Sequence, residues 1–299
     1  INMKSKAWTE KVMQGVFFIA ACASVLAVAL ICIFLFANGI PAMKEIGFGN
    51  FLSGVTWRPN NDVYGILPMI VGSLYVTAGA IIIGVPIGIL TAVFMAFYCP
   101  KRIYKPLKAA TELLAGIPSV VYGFFGLVVL VPAIRTFAKD LQHAGLIRSA
   151  GNGSSILTAS LLLGMMILPT IIGLTESSLR AVPTQYYEGA VALGATHERA
   201  IFRVVVPAAK SGVIAALVLG VGRAIGETMA VIMVAGNQAR MPGSIFKGVR
   251  TLTANIVIEM GYAAGLHREA LIATGVVLFV FILIINFCVA LLNRGNGRE

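Results

Sequence analysis

Charged side chains are scarce in this chain of 299 residues. They make up 12% of it, about half the share found in an average soluble domain, while 58% of the residues are hydrophobic and the mean hydropathy is +0.91. This balance excludes a soluble globular enzyme, a disordered segment and a disulfide-stabilised scaffold. It predicts a polytopic membrane protein, because one span needs about 20 apolar residues and the chain holds several such runs.

Acidic residues are the scarcer of the two charged classes. The chain has 12 Asp and Glu against 23 Lys and Arg, which gives a formal charge of +11. A basic chain could bind nucleic acid, but here the basic residues lie in short groups between apolar runs. That distribution is typical of membrane loops that face the cytosol.

The motifs of several enzyme classes are missing as well. No G-x-x-x-x-G-K-[ST] occurs, so the chain does not cradle ATP itself, and His197-Glu198 lacks the second histidine of a zincin site. The four cysteines lie in or beside apolar runs with no metal-site spacing; they are Cys22, Cys32, Cys99 and Cys288. No catalytic residue, metal ligand or bound cofactor is therefore predicted, and a membrane enzyme is the weakest alternative.

Six apolar runs predict six transmembrane helices in a single all-α membrane domain that covers residues 1–299. The runs are 12–37, 66–98, 107–133, 156–175, 210–235 and 269–292. Six spans place both termini on one side, and Lys4, Lys6 and Lys11 before the first run indicate the cytosol. The charged segment 176–209 is then a cytoplasmic loop.

Two ionisable residues lie within the fifth run, in the stretch VLGVGRAIGETMAV at 218–231. An ionisable side chain in a span costs about 2.5–3.5 kcal/mol on insertion scales, so Arg223 and Glu227 need an explanation. Their spacing predicts that both lie on one face of a helix that faces protein or a water-filled path.

Two interpretations of this pair remain open. One is an internal ion pair that neutralises itself and fixes helix packing. The other is a transient anion site, in which the guanidinium of Arg223 offers bidentate donors to an oxyanion and exchanges its partner, Glu227, for the substrate. A carboxylate only accepts hydrogen bonds, so Glu227 favours phosphate, which carries hydroxyl donors, over sulfate, which carries none.

A second feature lies in the predicted cytoplasmic loop, in YYEGAVALGATHERAIFRVVVPAAKSG at 186–212. Its composition fits an amphipathic surface pair of helices, broken at Gly194 and closed at Pro207, or a docking loop for a cytosolic partner. The loop resembles the E-A-A-x3-G-x9-I-x-L-P pattern of ABC importer permeases. The matching positions are Glu188, Gly189, Ala190, Gly194, Val204, Val206 and Pro207, with Gly189 in place of the first alanine.

The whole chain resembles the phosphate-specific (PstC-type) subgroup of these permeases. The resemblance rests on WRPNNDVYGILP at 57–68, ELLAGIPSVVYGFFGL at 112–127, GRAIGETMAV at 222–231 and GLHREALI at 265–272. It implies the type I ABC importer permease architecture and a multi-pass position in the bacterial inner membrane. It also implies that Arg223 and Glu227 line a phosphate pathway together with Ser119, Tyr122 and Thr228, while Glu188, Gly189, Ala190, Gly194 and Pro207 couple the chain to an ATPase.

The resemblance implies four partners. These are a second homologous permease (PstA type), an ABC ATPase dimer that holds ATP and Mg²⁺ (PstB type), an extracytoplasmic phosphate-binding protein (PstS type) and membrane lipid. ATP-driven closure of the ATPase would act on the loop and switch the pathway from inward- to outward-facing. The alternatives are a permease for sulfate, molybdate or another oxyanion, and a proton-coupled secondary anion transporter or channel that needs no ATPase.

Overall fold

The computed structural model describes the backbone of residues 3–294 and the side chains of residues 10–287, so the prediction for Cys288 lies outside the described side chains. The described chain consists of helices joined by turns and loops, with one short hairpin. The two longest irregular segments are residues 144–155, before α7, and residues 235–251, before α13. Its first seven helices are α1 Met3–Ile46, α2 Phe48–Ser53, α3 Leu67–Val93, α4 Lys101–Gly116, α5 Ser119–Phe125, α6 Val131–His143 and α7 Ile156–Ala181. The other seven are α8 Thr184–Ala192, α9 His197–Ala200, α10 Val206–Ala208, α11 Lys210–Gly226, α12 Met229–Val234, α13 Leu252–Glu259 and α14 Gly265–Arg294.

Short irregular elements join these helices. Single π-helical turns at Phe94–Tyr98, Gly126–Leu130 and Ile201–Val205 follow α3, α5 and α9. The hairpin consists of β1 Trp57–Arg58 and β2 Val63–Tyr64, paired antiparallel, with the 3-10 turn Pro59–Asn61 between them. Its two inward-facing aromatic residues, Trp57 and Tyr64, are buried and pack edge to face.

The helix lengths fit five of the six predicted spans. Five helical stretches are long and apolar enough to cross a membrane: Glu10–Ile46, Leu67–Tyr98, Ser119–His143, Ile156–Ala181 and Gly265–Phe287. A sixth candidate is the pair His197–Ala208 and Lys210–Gly226, which is bent by 68° at the break between its halves. The prediction of an all-α polytopic membrane protein is confirmed.

The third span lies further along the chain than the predicted 107–133. The helix breaks at Ile117, which has an extended ψ of 126°, as expected for a residue that precedes proline. Before the break, α4 is a separate helix with no buried residue, and the apolar helix begins only at Ser119. The predicted boundary was wrong because the apolar end of α4 runs into the span without a polar gap.

The centre of the fold is the packing of α3 against α7. Ala80, Gly84 and Gly88 recur every four residues along α3 and are buried. A Cβ at Gly84 would lie 2.8 Å from the backbone oxygen of Gly164 on α7, so the two backbones are nearly in contact. Small residues at this spacing allow helices to approach closely, which is how helices associate when no hydrophobic effect drives them together.

The remaining helices surround this pair. α11 packs on both α7 and α3, α12 packs on α5, and α14 joins α11 to α1. Much of α1 is exposed along its apolar length; Phe17, Phe18 and Ile19 are each about two-thirds exposed. In a membrane protein this surface is covered by lipid, so the exposed apolar residues carry no cost.

Candidate translocation site

The fifth span is interrupted at the point where the sequence predicts a continuous helix over 210–235. α11 ends at Gly226, Glu227 takes an extended conformation with ψ 129°, and α12 begins at Met229. Arg223 and Glu227 are therefore not one turn apart on a single helical face, and that prediction was wrong. A helix that breaks within a membrane protein is tolerated only where its freed backbone groups find partners or face a cavity.

Arg223 lies on the last turn of α11 with an exposed side chain. One guanidinium nitrogen, Nη1, donates to the hydroxyl of Thr170 on α7 at 3.4 Å. Within the described residues Arg223 forms no ion pair. Guanidinium has five donors, so most of its hydrogen-bonding capacity is free for an anion.

Glu227 is held at the break by its neighbours in space. Its Oε1 accepts the backbone N–H of Ala230 at 3.2 Å and so caps the first turn of α12. Its backbone oxygen accepts the hydroxyl of Thr253 on α13 at 3.2 Å, and the hydroxyl of Thr228 donates to the backbone oxygen of Gly226. The freed backbone groups are thus partly satisfied, and the carboxylate is fixed without a cation.

The predicted pathway residues Ser119 and Tyr122 follow the second break, at Ile117–Pro118. Ser119 is half-buried, whereas Tyr122 is 7% exposed and donates its hydroxyl to the backbone oxygen of Leu114 at 2.8 Å. Tyr122 therefore ties the end of α4 to the start of α5. A Cβ at Gly123 would lie 3.0 Å from Cα of Ala230, so α5 and α12, the helices that follow the two breaks, are packed against each other.

The predicted coupling loop forms a protruding pair of short helices. Glu188, Gly189 and Ala190 lie on α8, Gly194 forms the turn with φ +86°, and Pro207 lies in α10. The structure therefore confirms two helices broken at Gly194. Leu193 is 92% exposed at this tip, while the Tyr187 hydroxyl and Nδ1 of His197 are 2.9 Å apart and hold α8 on α9.

The structure also brings together a cluster that the sequence analysis missed. Glu176, near the end of α7, has a side chain only 2% exposed. Its carboxylate accepts from the Tyr104 hydroxyl at 2.6 Å, Lys108 Nζ at 2.9 Å and Arg180 Nε at 2.8 Å. The hydrogen bonds to Glu176 raise the pKa of Tyr104 and of Lys108, which lie on α4 outside the spans.

A second missed cluster surrounds Glu259 at the opposite end of the bundle. Oε2 accepts from Trp57 Nε1 at 2.7 Å and lies 2.9 Å from His267 Nε2, while Oε1 binds Arg250. The cluster joins the hairpin, α13 and α14. It also connects two stretches of the family resemblance, 57–68 and 265–272, which are separated by about 200 residues in the sequence.

Trp57 and Tyr64, two of the aromatic residues around this cluster, are buried. Burial and a hydrogen bond to Asp62 raise the pKa of Tyr64 to about 12. The ring of Tyr64 stacks on His267 with centroids 6.1 Å apart. The local sequence does not predict these contacts, because Glu259 lies between the fifth and sixth predicted spans, where a loop is expected.

Comparison with known proteins assigns the chain to a family. Residues 84–298 match the model of the binding-protein-dependent transport system inner membrane component. The chain is 39% identical over 287 residues to a probable ABC transporter permease protein, YqgH, of Bacillus subtilis, with 92% of this chain and 90% of that protein covered. It is 36% identical over 289 residues to the phosphate transport system permease protein PstC of Mesorhizobium japonicum, with 93% and 88% covered.

Solved structures show the same fold at lower identity. A bacterial ABC transporter involved in the import of the acidic polysaccharide alginate matches with a TM-score of 0.64 and 17% identity, over 98% of this chain and 100% of that one. An inward-facing MetNI methionine ABC transporter matches with a TM-score of 0.55 and 19% identity, over 78% and 95%. With the family model covering most of the chain, the protein belongs to the inner-membrane permease components of binding-protein-dependent ABC transporters.

Proposed function

We propose that this chain is the permease subunit of an ATP-driven importer of inorganic phosphate. The observation that carries the proposal is the exposed guanidinium of Arg223, which has a neutral partner, Thr170, and lies beside the helix break at Glu227. The relatives named phosphate transport system permease protein support phosphate as the substrate. Ser119, Tyr122 and Thr228 complete the proposed pathway.

In this proposal Arg223 takes the dehydrated anion through charge-assisted hydrogen bonds. A pore must also release what it binds, and Glu227 supplies the competing negative charge at the same break. Glu227 accepts a hydrogen bond from the hydroxyl of phosphate and repels sulfate, which has no hydroxyl to donate. The pair therefore acts through the substrate and does not depend on an ion pair between Arg223 and Glu227.

The energy source is a separate ATPase dimer that contacts α8. The exposed Leu193 and the turn at Gly194 form the proposed contact, with Glu188, Gly189 and Ala190 on α8 and Pro207 behind it. In this proposal α8 and both termini lie in the cytosol. The hairpin and the Glu259 cluster lie outside, where a phosphate-binding protein delivers its anion. A second, homologous permease completes the pathway.

The decisive test is uptake of labelled phosphate by proteoliposomes that contain the assembled transporter, with Arg223→Gln compared with wild type. We expect the variant to assemble normally and to lose nearly all phosphate uptake, because the amide carries no charge for the anion. Labelled sulfate and molybdate are measured in parallel. Preferential uptake of one of these by wild type, or full phosphate uptake by Arg223→Gln, would refute the proposal.

Proteoliposomes that contain only this chain distinguish the secondary transporter. Uptake by this chain alone, driven by a pH gradient without ATPase, would support that alternative. The proposal expects no uptake until the ATPase, ATP and binding protein are all present.

A further inference from the structure

Among the described residues, Glu176 is the carboxylate whose side chain is least exposed, and it lies within the span formed by α7. Its side chain is 2% exposed, and three donors from two helices converge on it: Tyr104 and Lys108 from α4, and Arg180 from α7. A buried carboxylate is tolerated only when its oxygens are paired and hydrogen-bonded, which this set achieves. Neither Arg223 nor Glu227 belongs to the cluster.

The cluster joins three helices at one end of the bundle. Arg180 donates from Nη2 to the backbone oxygen of Met95, in the π-helical turn that ends the α3 span, at 2.9 Å. Its guanidinium also lies over the ring of Tyr104, 4.8 Å from the centroid. Arg180 and Glu176 thus fix α4 and the end of α3 to α7.

On one side the cluster leads directly to the proposed ATPase contact. Arg180 is the second-last residue of α7, and α8 begins at Thr184 after the short link Val182–Pro183. One route for movement of α8 therefore runs along the chain into the last turn of α7, where Arg180 holds Glu176.

On the other side the cluster leads to the proposed pathway. α4 carries Tyr104 and Lys108 in its first half and ends at Gly116, directly before the break and Ser119. The hydroxyl of Tyr122 on α5 donates to the backbone oxygen of Leu114 near the end of α4. α4 is therefore attached to the ATPase-facing end by Glu176 and to the pathway by Tyr122.

We infer that Glu176 is a positioning residue that transmits movement of α8 through α4 to the pathway helix α5. This inference rests on the proposed function, because it assigns the cluster a part in ATP-driven transport. The carboxylate holds α7 and α4 as one unit, so that closure of the ATPase displaces Ser119 and Tyr122 along with α8. Without this charge, α8 would move while α4 stayed in place.

The test is the ratio of phosphate transported to ATP hydrolysed, measured on the whole complex in proteoliposomes with binding protein present. In Glu176→Gln we expect ATP hydrolysis to continue while the ratio falls about tenfold, in the range by which coupling networks alter linkage between sites. Glutamine keeps the shape and one acceptor oxygen. Lys108 and Arg180 are 31% and 46% exposed, so water can solvate them when the anion is lost.

Glu45→Gln is the control, because Glu45 is an exposed carboxylate on α1 and forms no ion pair or hydrogen bond with the cluster. It should leave the ratio at the wild-type value. A purely structural role predicts less assembled Glu176→Gln complex with an unchanged ratio per complex, and this outcome would overturn the inference.

Two milder variants keep the inference testable if Glu176→Gln does not assemble. Tyr104→Phe and Lys108→Met each remove one hydrogen bond to Glu176 and should each lower the ratio in part. Wild-type ratios in both would overturn the inference. The ratio can be measured with whichever anion wild type transports, so failure of phosphate as the substrate is distinguishable from failure of the coupling role.

Discussion

At the scale of single residues, two kinds of charged side chain matter for the proposals made above. Glu176 and Glu259 are buried and bound by several donors each, whereas Arg223 is exposed with one neutral hydrogen-bond partner. A buried, fully paired charge stabilises a particular arrangement of helices. An exposed guanidinium with free donors is available to a ligand.

Glu227 provides a prediction at this scale. One oxygen caps Ala230, and glutamine retains an oxygen acceptor for that N–H while it replaces the other oxygen by an amide donor. We expect Glu227→Gln to lower the ratio of phosphate to sulfate uptake by about tenfold, since one hydrogen bond to a charged group contributes about 1.5 kcal/mol. The measurement is competition between the two labelled anions in proteoliposomes.

The choice of glutamine matters, because Glu227→Ala would also remove the cap of α12. A normal thermal unfolding midpoint for the purified Glu227→Gln complex confirms that the break is intact. An unchanged phosphate-to-sulfate ratio in that intact complex would contradict the assigned role.

At the scale of elements, the fold depends on close approach between helices and on breaks within them. α3 and α7 touch through Gly84 and Gly164, and α5 and α12 touch through Gly123 and Ala230. Two apolar runs are interrupted, one before α5 and one before α12. The first break places Ser119 at the start of α5, and the second places Glu227 and Thr228 just before α12.

Gly84 tests the packing of α3 on α7. A methyl group there would lie 2.8 Å from the Gly164 backbone oxygen and 2.9 Å from the Ile167 side chain. We expect Gly84→Ala to destabilise the complex by about 1–3 kcal/mol, the cost of overpacking a well-packed contact. The measurement is the thermal unfolding midpoint of the detergent-solubilised complex.

Gly222→Ala is the matched control, because Gly222 lies in helix α11 with nothing within 4 Å of its would-be Cβ. Alanine is favoured over glycine in a helix by about 0.5–1 kcal/mol, so this variant should be neutral or slightly more stable. Equal behaviour of the two variants would show that α3 and α7 have room to separate.

At the scale of the whole molecule, three features lie at different levels of one bundle. The exposed turn at Leu193 and Gly194 lies at one end, the Glu259 cluster with the hairpin at the other, and Arg223 with the two breaks between them. α7 and α11 run along this length. They connect the proposed ATPase contact to the proposed pathway.

Gly194 gives a prediction about assembly. Its φ of +86° suits glycine, and a β-branched residue there is strained by at least about 1–2 kcal/mol, so the tip should change shape. We expect Gly194→Val to weaken binding of the purified ATPase about tenfold, with a proportionate loss of uptake. Binding is measured as the ATPase concentration needed for half-maximal assembly.

Gly145→Val is its control, since Gly145 also has a positive φ, of +73°, and open space around it. It follows α6, at the end of the bundle away from α8. Both variants bear the same kind of backbone strain, so equal loss of ATPase binding would mean that the tip at Gly194 has no special part in assembly.

Part of the site was readable from residues alone. Arg223 stands out because a charge within an apolar run has few explanations. Gly194 stands out because glycine favours a helix end, and it separates α8 from α9 in the structure. Pro207 was expected to close the second short helix, but it lies inside α10 and the chain bends only after Ala208. Glu176 and Glu259 gave no such signal. Each lies near the end of its helix, where a carboxylate is ordinarily solvated. Lys108 is 68 residues from its partner Glu176, and Trp57 is 202 residues from its partner Glu259.

The amino-acid sequence by itself determined that this chain is a multi-pass helical membrane protein, because apolar runs of sufficient length have no other stable environment. It also determined the approximate spans and the pair of short helices broken at Gly194, whose signals are local. Only the tertiary structure decided that the fifth span breaks at Glu227, that the third span begins at Ser119, and which cations surround the buried carboxylates. Those outcomes depend on backbone and side-chain partners supplied by other helices, such as Thr253 for Glu227, and hydropathy along one segment carries no information about them.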